Sequence, residues 1–480
     1  NLYKQIVSDG QMRIVPSSTI IATLSAKLKD MAQKITDNSL KAEVGRKMLT
    51  LFHSLGQETK QPASRRVELA ELATVKVMAS MLPFIAELIQ CNDKEIIFHP
   101  DEAQQEAFRN AWFYCVFFDF ALHGHVSEDW QNPVTRIAEK VPVLGINHTH
   151  VMVKVEMAIS GIINASLGQR ELNSVKKRLR TSLPSASASL KVLNPAFACY
   201  FLSVYYLEIL RARNGEYRAL FSYLEDFAEV DDRIPNYAYY QNIFQAIACA
   251  VFTELLAGFK ARRYAEESQS DLFADVVDYI FIHFCSSNIV VRQLSGQFLR
   301  MITNNFPQVL LHPRCTKTLL ELVDIVSHGR EIGPLDKTHI QFPNSRIFLA
   351  LPEDAEAMNS LFHETVQLTY NWITESVHLA PTETFSAFHA YMRSFGEESN
   401  TALRQHYGVS LATEILSKAG LSVLTQHSNN TGAAFSTAGT TGTGGTGSNK
   451  NGTTLAADAN TTLVRKRDED ELGSAFMIGL

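Results

Sequence analysis

Arg109-Asn110-Ala111-Trp112-Phe113-Tyr114-Cys115-Val116-Phe117-Phe118-Asp119-Phe120 is the stretch whose reading decides the fold. Nearly every position is large and apolar, so no single solvent-facing stripe can be drawn on a helix through it. A helix that is apolar almost all round must be covered by neighbours on several sides. A bilayer span takes about 20 apolar residues, and this run is shorter and interrupted by Asp119. It therefore reads as a helix buried at the centre of a stack of helices. Pro195–Leu210 and Leu272–Cys285 repeat the pattern, with no chemistry-bearing motif between them.

The composition agrees. With 46% hydrophobic and 20% charged residues over 480 positions, the chain can bury a large core. That length would hold roughly three ordinary domains, but a solenoid can run as one body. A net charge of −6 gives no general electrostatic reason to bind nucleic acid. Cys91, Cys115, Cys199, Cys249, Cys285 and Cys315 lie far apart in or beside apolar runs, with no CxxC pair. Buried free thiols in a reducing compartment account for them better than zinc or a disulfide framework. The chain begins at Asn1 without Met, a charged leader or an apolar signal core, which reads as a segment of a longer, non-secreted protein.

Outward from the central stretch, helical spacing recurs. Pro16–Gly56 holds two helices parted at Asp37-Asn38-Ser39. Leu69, Leu72, Val75, Ala79, Leu82, Ile85 and Ile89 form one face of a helix that Pro83 should kink or split. The central helix is expected to open at His99-Pro100-Asp101-Glu102 and to end near His123-Gly124-His125. Val151–Leu167, Glu171–Arg180, Pro195–Arg213, Tyr217–Ala228, Tyr237–Lys260, Asp271–Cys285, Asn288–Asn305 and Pro313–Ser327 follow as helices, with a loop at Ser182–Ser189. Gly329–Ala350 reads as a loop with one short extended segment, Arg346–Leu349. Pro352 is placed at the first position of a long helix, and Pro381–Phe395 and Asn400–Ala419 make a last pair. Helical hairpins of about 40 residues are the mark of HEAT-type repeats. The expected fold is all-α: an irregular HEAT/armadillo-like α-solenoid of stacked helical hairpins over residues 1–427. A disordered Gly/Thr/Asn/Ser-rich linker over 428–463 and the start of a further segment at 464–480 complete it.

Few residues invite a chemical role. His123, His125, His148 and His150 could suggest metal, but no carboxylate or cysteine stands at a supporting spacing, so loop and capping roles are the better account. Gly439–Lys450 has the glycine content of a phosphate loop and lacks its GK[ST] ending. There is no GxSxG elbow, kinase glycine-rich loop or Asp-Phe-Gly. No catalytic, cofactor-binding or metal-ligating residue is assigned. Lys176, Lys177, Arg178 and Arg180 form a basic run that could meet an anionic surface, although a solvated helix face is the better account by roughly three to one.

Arg109–Val116, Tyr200–Glu208, the run from Phe284 to Leu311 and Gly408–Leu416, in this order, resemble the N-terminal helical region of the type III alpha phosphatidylinositol 4-kinases over about Ser17 to Leu421. The resemblance implies a parent lipid kinase that phosphorylates the 4-hydroxyl of phosphatidylinositol, with ATP and Mg held in a catalytic domain outside this chain. It implies no cofactor here. For this segment it implies a non-catalytic scaffold in a kinase homodimer, assembled with a tetratricopeptide-repeat adaptor, a hyccin-type protein and a lipid-anchored membrane receptor. Such a protein is peripheral, cytoplasmic and recruited to the cytoplasmic face of the plasma membrane. The rival is a free-standing HEAT-repeat adaptor without kinase activity. A solenoid cut from a longer chain leaves an uncapped end, so the segment alone is expected to associate in light scattering.

Overall fold

The computed structural model describes residues 18–58, 73–89, 102–118, 120–121, 128–166, 168–261, 267–332, 339–341, 348–398 and 407–418. The chain divides into two compact bodies, Asn1–Gly420 and Leu421–Leu480. The expected linker over 428–463, and the segment after it, lie outside the described residues.

The first body is all-α and solenoid-like, and its helices form where apolar spacing and caps coincide. α1 (Ser18–Lys34) and α2 (Asn38–Glu58) are parted by Asp37. The Asp37 carboxylate accepts from the Ser39 amide at 2.9 Å, which holds the start of α2. α3 (Ala73–Leu88) carries Pro83 in its interior without being split. α4 (Glu102–Phe117) is the central helix, and it ends well before His123. It stops where Phe118, Phe120 and Ala121 turn inward to the core, and the Ala121 amide bonds back to the Cys115 carbonyl at 3.1 Å. From Phe108 to Phe118 every residue is buried.

α5 (Glu128–Lys140) is a helix the sequence reading does not contain. Pro133 lies inside it, yet Val134, Ile137 and Ala138 give it a buried face. α6 (Thr149–Ser166), α7 (Gln169–Ser182), the short α8 (Ser189–Val192) and α9 (Pro195–Arg213) follow. The loop expected at Ser182–Ser189 is a 3₁₀ turn, Pro184–Ala186, running into α8. α9 starts as read, with Asn194 accepting from the Phe197 amide at 2.8 Å and Pro195 in the first turn. It stops at Asn214, and Gly215 takes the positive φ of 86° needed to reverse the chain.

α10 (Ser222–Ala228) is shorter than read, because residues 218–221 form turns. α11 (Tyr237–Ala261) is long and apolar enough to cross a membrane by length and composition alone. In the fold its Ile243, Phe244, Ile247, Val251, Phe252 and Leu255 are buried among other helices, as in a core helix.

α12 (Glu267–Phe284) and α13 (Ile289–Asn305) form the next pair. The Asn288 side chain accepts from the Val290 and Val291 amides and donates to the Leu224 carbonyl. Replacing Asn288 by alanine should cost about 1 kcal/mol. An unchanged urea midpoint would show that these bonds are matched by water.

α14 (Pro313–Ile332) outlasts the reading by a full turn. The single extended segment expected after it is instead a two-stranded antiparallel hairpin, β1 (His339–Gln341) and β2 (Phe348–Ala350), with Ile340 opposite Leu349. α15 (Ala355–Leu379) begins at Ala355, so Pro352 precedes the helix by several residues. Its cap is Asp354, whose carboxylate accepts from the Ala357 amide at 2.8 Å. α16 (Pro381–Glu398) and a last helix over 407–418 complete the body. That last helix is seated by Asp324 of α14, which accepts from the Gly408 amide at 2.7 Å. A Cβ at Gly408 would sit 2.6 Å from the Leu320 carbonyl oxygen, so only glycine allows this approach.

Packing runs mainly between helices close in chain order: α1 and α2 on α3, α2 on α4, α4 to α7 around α9, α12 on α13 and α14, and α14 on α15. That is the near-neighbour contact scheme of a solenoid. The seam between α10–α11 and α12–α13 is aromatic. Phe252 stacks on Phe298 with centroids 4.1 Å apart, and Phe221 stacks on His283 at 4.8 Å and on Phe298 at 5.8 Å.

Candidate functional surface and buried polar network

The basic run lies on α7. Val175 and Leu179 are buried there and Leu172 is partly so, which fixes the inward face. At 100° per residue this turns Lys177 and Arg180 outward, with Arg170 on the same stripe, and all three are exposed. Lys176 is half-buried, and its ammonium donates to the Leu193 carbonyl at 3.5 Å. Arg178 is half-buried and engaged within the chain. The four residues named in the sequence thus divide: Lys177 and Arg180 face water, while Lys176 and Arg178 brace the helix.

A second polar group was not foreseen. Glu208 and Arg211 lie on α9, one turn apart, and only 5% of each side chain is exposed. Arg211 Nη1 is 2.7 Å from Glu208 Oε1, its Nε donates to the Ala138 carbonyl at 2.8 Å, and a further N–H donates to the Val141 carbonyl. Tyr223 donates to Glu208 at 2.7 Å and accepts from the Leu144 amide at 3.3 Å. Tyr200 donates to the Leu144 carbonyl at 2.7 Å. Burial pushes the Glu208 carboxyl up, while Arg211 and Tyr223 hold it down. The donors of Arg211 satisfy carbonyls at the end of α5 that have no partner within the helix. The network clasps α5 and the segment after it onto α9, and it closes on protein groups alone. Its sequence signal was a Glu and an Arg at i and i+3 inside an otherwise apolar run.

The buried thiols among the described residues are set against chemistry, and Cys91 lies outside those residues. Burial pushes Cys115 far up and brings Cys199 and Cys285 to about 12, so none carries a thiolate near neutral pH. His148 and His150 are exposed at the start of α6, their rings stacked 5.4 Å apart. His123 and His125 lie outside the described residues. Among the described residues, no group of three His, Cys, Asp or Glu is placed to hold a metal.

Glu225 and His283 meet at 3.5 Å on the aromatic seam. Burial lowers His283 to about 4 and raises Glu225 to about 7. Folded Glu225 keeps a proton that the unfolded chain releases near 4.5. Its contribution to stability is full below that value and lost as pH rises through about 7. Glu225→Gln should therefore melt with the wild type at about pH 5 and about 1–3 °C above it at about pH 8. Parallel melting curves at both values would show the carboxyl to be solvated.

The model of a family described as the PI4-kinase N-terminal region matches residues 15–128 and 123–445. Phosphatidylinositol 4-kinase stt4 of Schizosaccharomyces pombe is 21% identical over 319 residues, covering 66% of this chain and 16% of that protein. Phosphatidylinositol 4-kinase alpha 1 of Arabidopsis thaliana is 22% identical over 421 residues, covering 75% of this chain and 19% of its own length. The chain thus spans less than a fifth of the curated relatives it matches.

Proposed function

Since the chain belongs to the PI4-kinase N-terminal region family, we propose that it is the non-catalytic α-solenoid scaffold of a phosphatidylinositol 4-kinase. In this reading the parent protein phosphorylates the 4-hydroxyl of phosphatidylinositol with ATP and Mg bound in a domain outside the segment. The segment serves assembly with protein partners and recruitment to the cytoplasmic face of the plasma membrane. A tetratricopeptide-repeat adaptor, a hyccin-type protein, a lipid-anchored receptor and a second kinase copy are the partners the family resemblance implies. The observation that carries the reading is the family match along nearly the whole helical body. Stacked helices, with inert thiols at Cys199 and Cys285 and a Glu208–Arg211 network that closes on protein groups, support it, because long helical surfaces suit protein partners better than small substrates.

The test is lipid kinase activity on phosphatidylinositol, measured for this segment and for the full-length protein purified from its source. Activity in the full-length protein alone is expected. Activity in neither would favour a free-standing adaptor, and turnover by the segment itself would overturn the scaffold reading.

A further inference from the structure

Two hydrogen bonds bring α6 and α7 to one corner. Asn194 donates to Glu156 of α6 at 2.7 Å, and Lys176 of α7 donates to the Leu193 carbonyl at 3.5 Å. The segment joining α8 to α9 is therefore the shared wall of both helices. Three aliphatic side chains stand out from this corner: Val153 at 50% exposure, Met157 at 69% and Val192 at 48%. Val153 and Met157 are one turn apart on α6, and Val192 lies two residues before the shared Asn194. Lys177 and Arg180 of α7 and Lys191 of α8 are exposed on the elements that meet here, with no ion pair among the described residues. The same three helices hold two acids, Glu156 and Glu171, against Lys154, Arg170, Lys176, Lys177, Arg178, Arg180 and Lys191. The corner is thus positive in charge and apolar in its protruding atoms.

We propose that this corner docks on an anionic lipid surface, with Lys177, Arg180 and Lys191 meeting headgroups and Val153, Met157 and Val192 entering the boundary beneath them. Isolated exposed aliphatic residues need no explanation, but here α6 and α8 carry them while α7 and α8 carry exposed long cationic side chains, and all three helices meet at Leu193 and Asn194. Such side chains keep an apolar stem low and a charge high, as an interfacial site requires. A site for an acidic protein would centre on enclosed aromatic anchors. The exposed apolar residues at this corner are aliphatic instead. The inference rests on the proposed membrane recruitment for its setting and supplies a lipid contact made by this chain itself.

The test is co-sedimentation of the 480-residue chain with vesicles of phosphatidylcholine, alone or with one lipid in five replaced by phosphatidylserine. Binding is expected only with phosphatidylserine and should weaken as salt rises. Lys177→Glu, Arg180→Glu and Lys191→Glu together should weaken it about 100-fold or more. The neutral set Lys177→Gln, Arg180→Gln and Lys191→Gln, checked by an unchanged melting curve, should weaken it in the same direction. Val153→Ser, Met157→Ser and Val192→Ser should reduce binding while leaving its salt dependence. Equal sedimentation of wild type and neutral variant, or none with phosphatidylserine, overturns the proposal. Capture of polyglutamate without vesicle binding also overturns it, in favour of an acidic protein partner. None of these readouts involves kinase turnover, so a failure here leaves the scaffold reading to its own assay.

Discussion

Replacing Arg211 by alanine is expected to destabilise the helical body by about 3–5 kcal/mol. The substitution strands Glu208, of which only 5% is exposed, without its cation. It also removes the donors to the Ala138 and Val141 carbonyls, which close α5. Lysine should rescue only part of the loss, because a single ammonium cannot reach three acceptors with the fork geometry of a guanidinium. Replacing Glu208 and Arg211 together by a leucine and a methionine should cost less than Arg211→Ala alone, since no buried charge is left unpaired. Urea unfolding followed by circular dichroism measures all three. A loss below about 1 kcal/mol for Arg211→Ala would mean that water reaches the pair.

Trp112→Ala should cost a similar amount, about 3–5 kcal/mol, by a different route. The indole is 1% exposed and lines a small cavity together with Phe52, Leu82, Ile85, Phe108 and Ile137, so alanine enlarges a void lined by three neighbouring helices. Its Nε1–H also donates to the Ser203 carbonyl at 2.9 Å. Trp112→Phe keeps most of the volume and should lose about half as much. The two substitutions also predict where the damage stays. With contacts running mainly between near neighbours, hydrogen exchange should quicken in α2 to α9 and leave α14 to α16 protected. Uniform loss of protection along the chain would show a single cooperative body instead.

Much of this fold was legible because local signals coincided. α9 and α13 begin where an asparagine precedes an apolar run, and the same asparagines cap them. α5 escaped because Pro133 sits in a polar opening, and its buried residues, Val134, Ile137 and Ala138, are few. The last turn of α14 was hidden by Gly329, which ends helices more often than it continues them. Pro352 was placed in the first turn of α15 when the capping carboxylate of Asp354 marks the true start. The surface was legible in outline, since a basic run needs only its own helix. Which of its residues face water depended on Leu193, and that contact is tertiary. The Glu208–Arg211 network was not legible, because Arg211 bonds carbonyls 70 and 73 residues away. Periodicity marks a face as buried and leaves unspecified what it is buried against.

The aromatic seam between α10–α11 and α12–α13 has a mechanical consequence. A body whose parts touch mainly their near neighbours carries a pull on its ends in series, and its most compliant joint takes most of the strain. Stacked rings such as Phe252 on Phe298 hold their attraction over a range of offsets. The clasp of Arg211 on α5 depends on direction and gives way abruptly. Under load the body is expected to bend first by ring sliding on ring at the seam, with the clasped helices before it turning as one rigid arm.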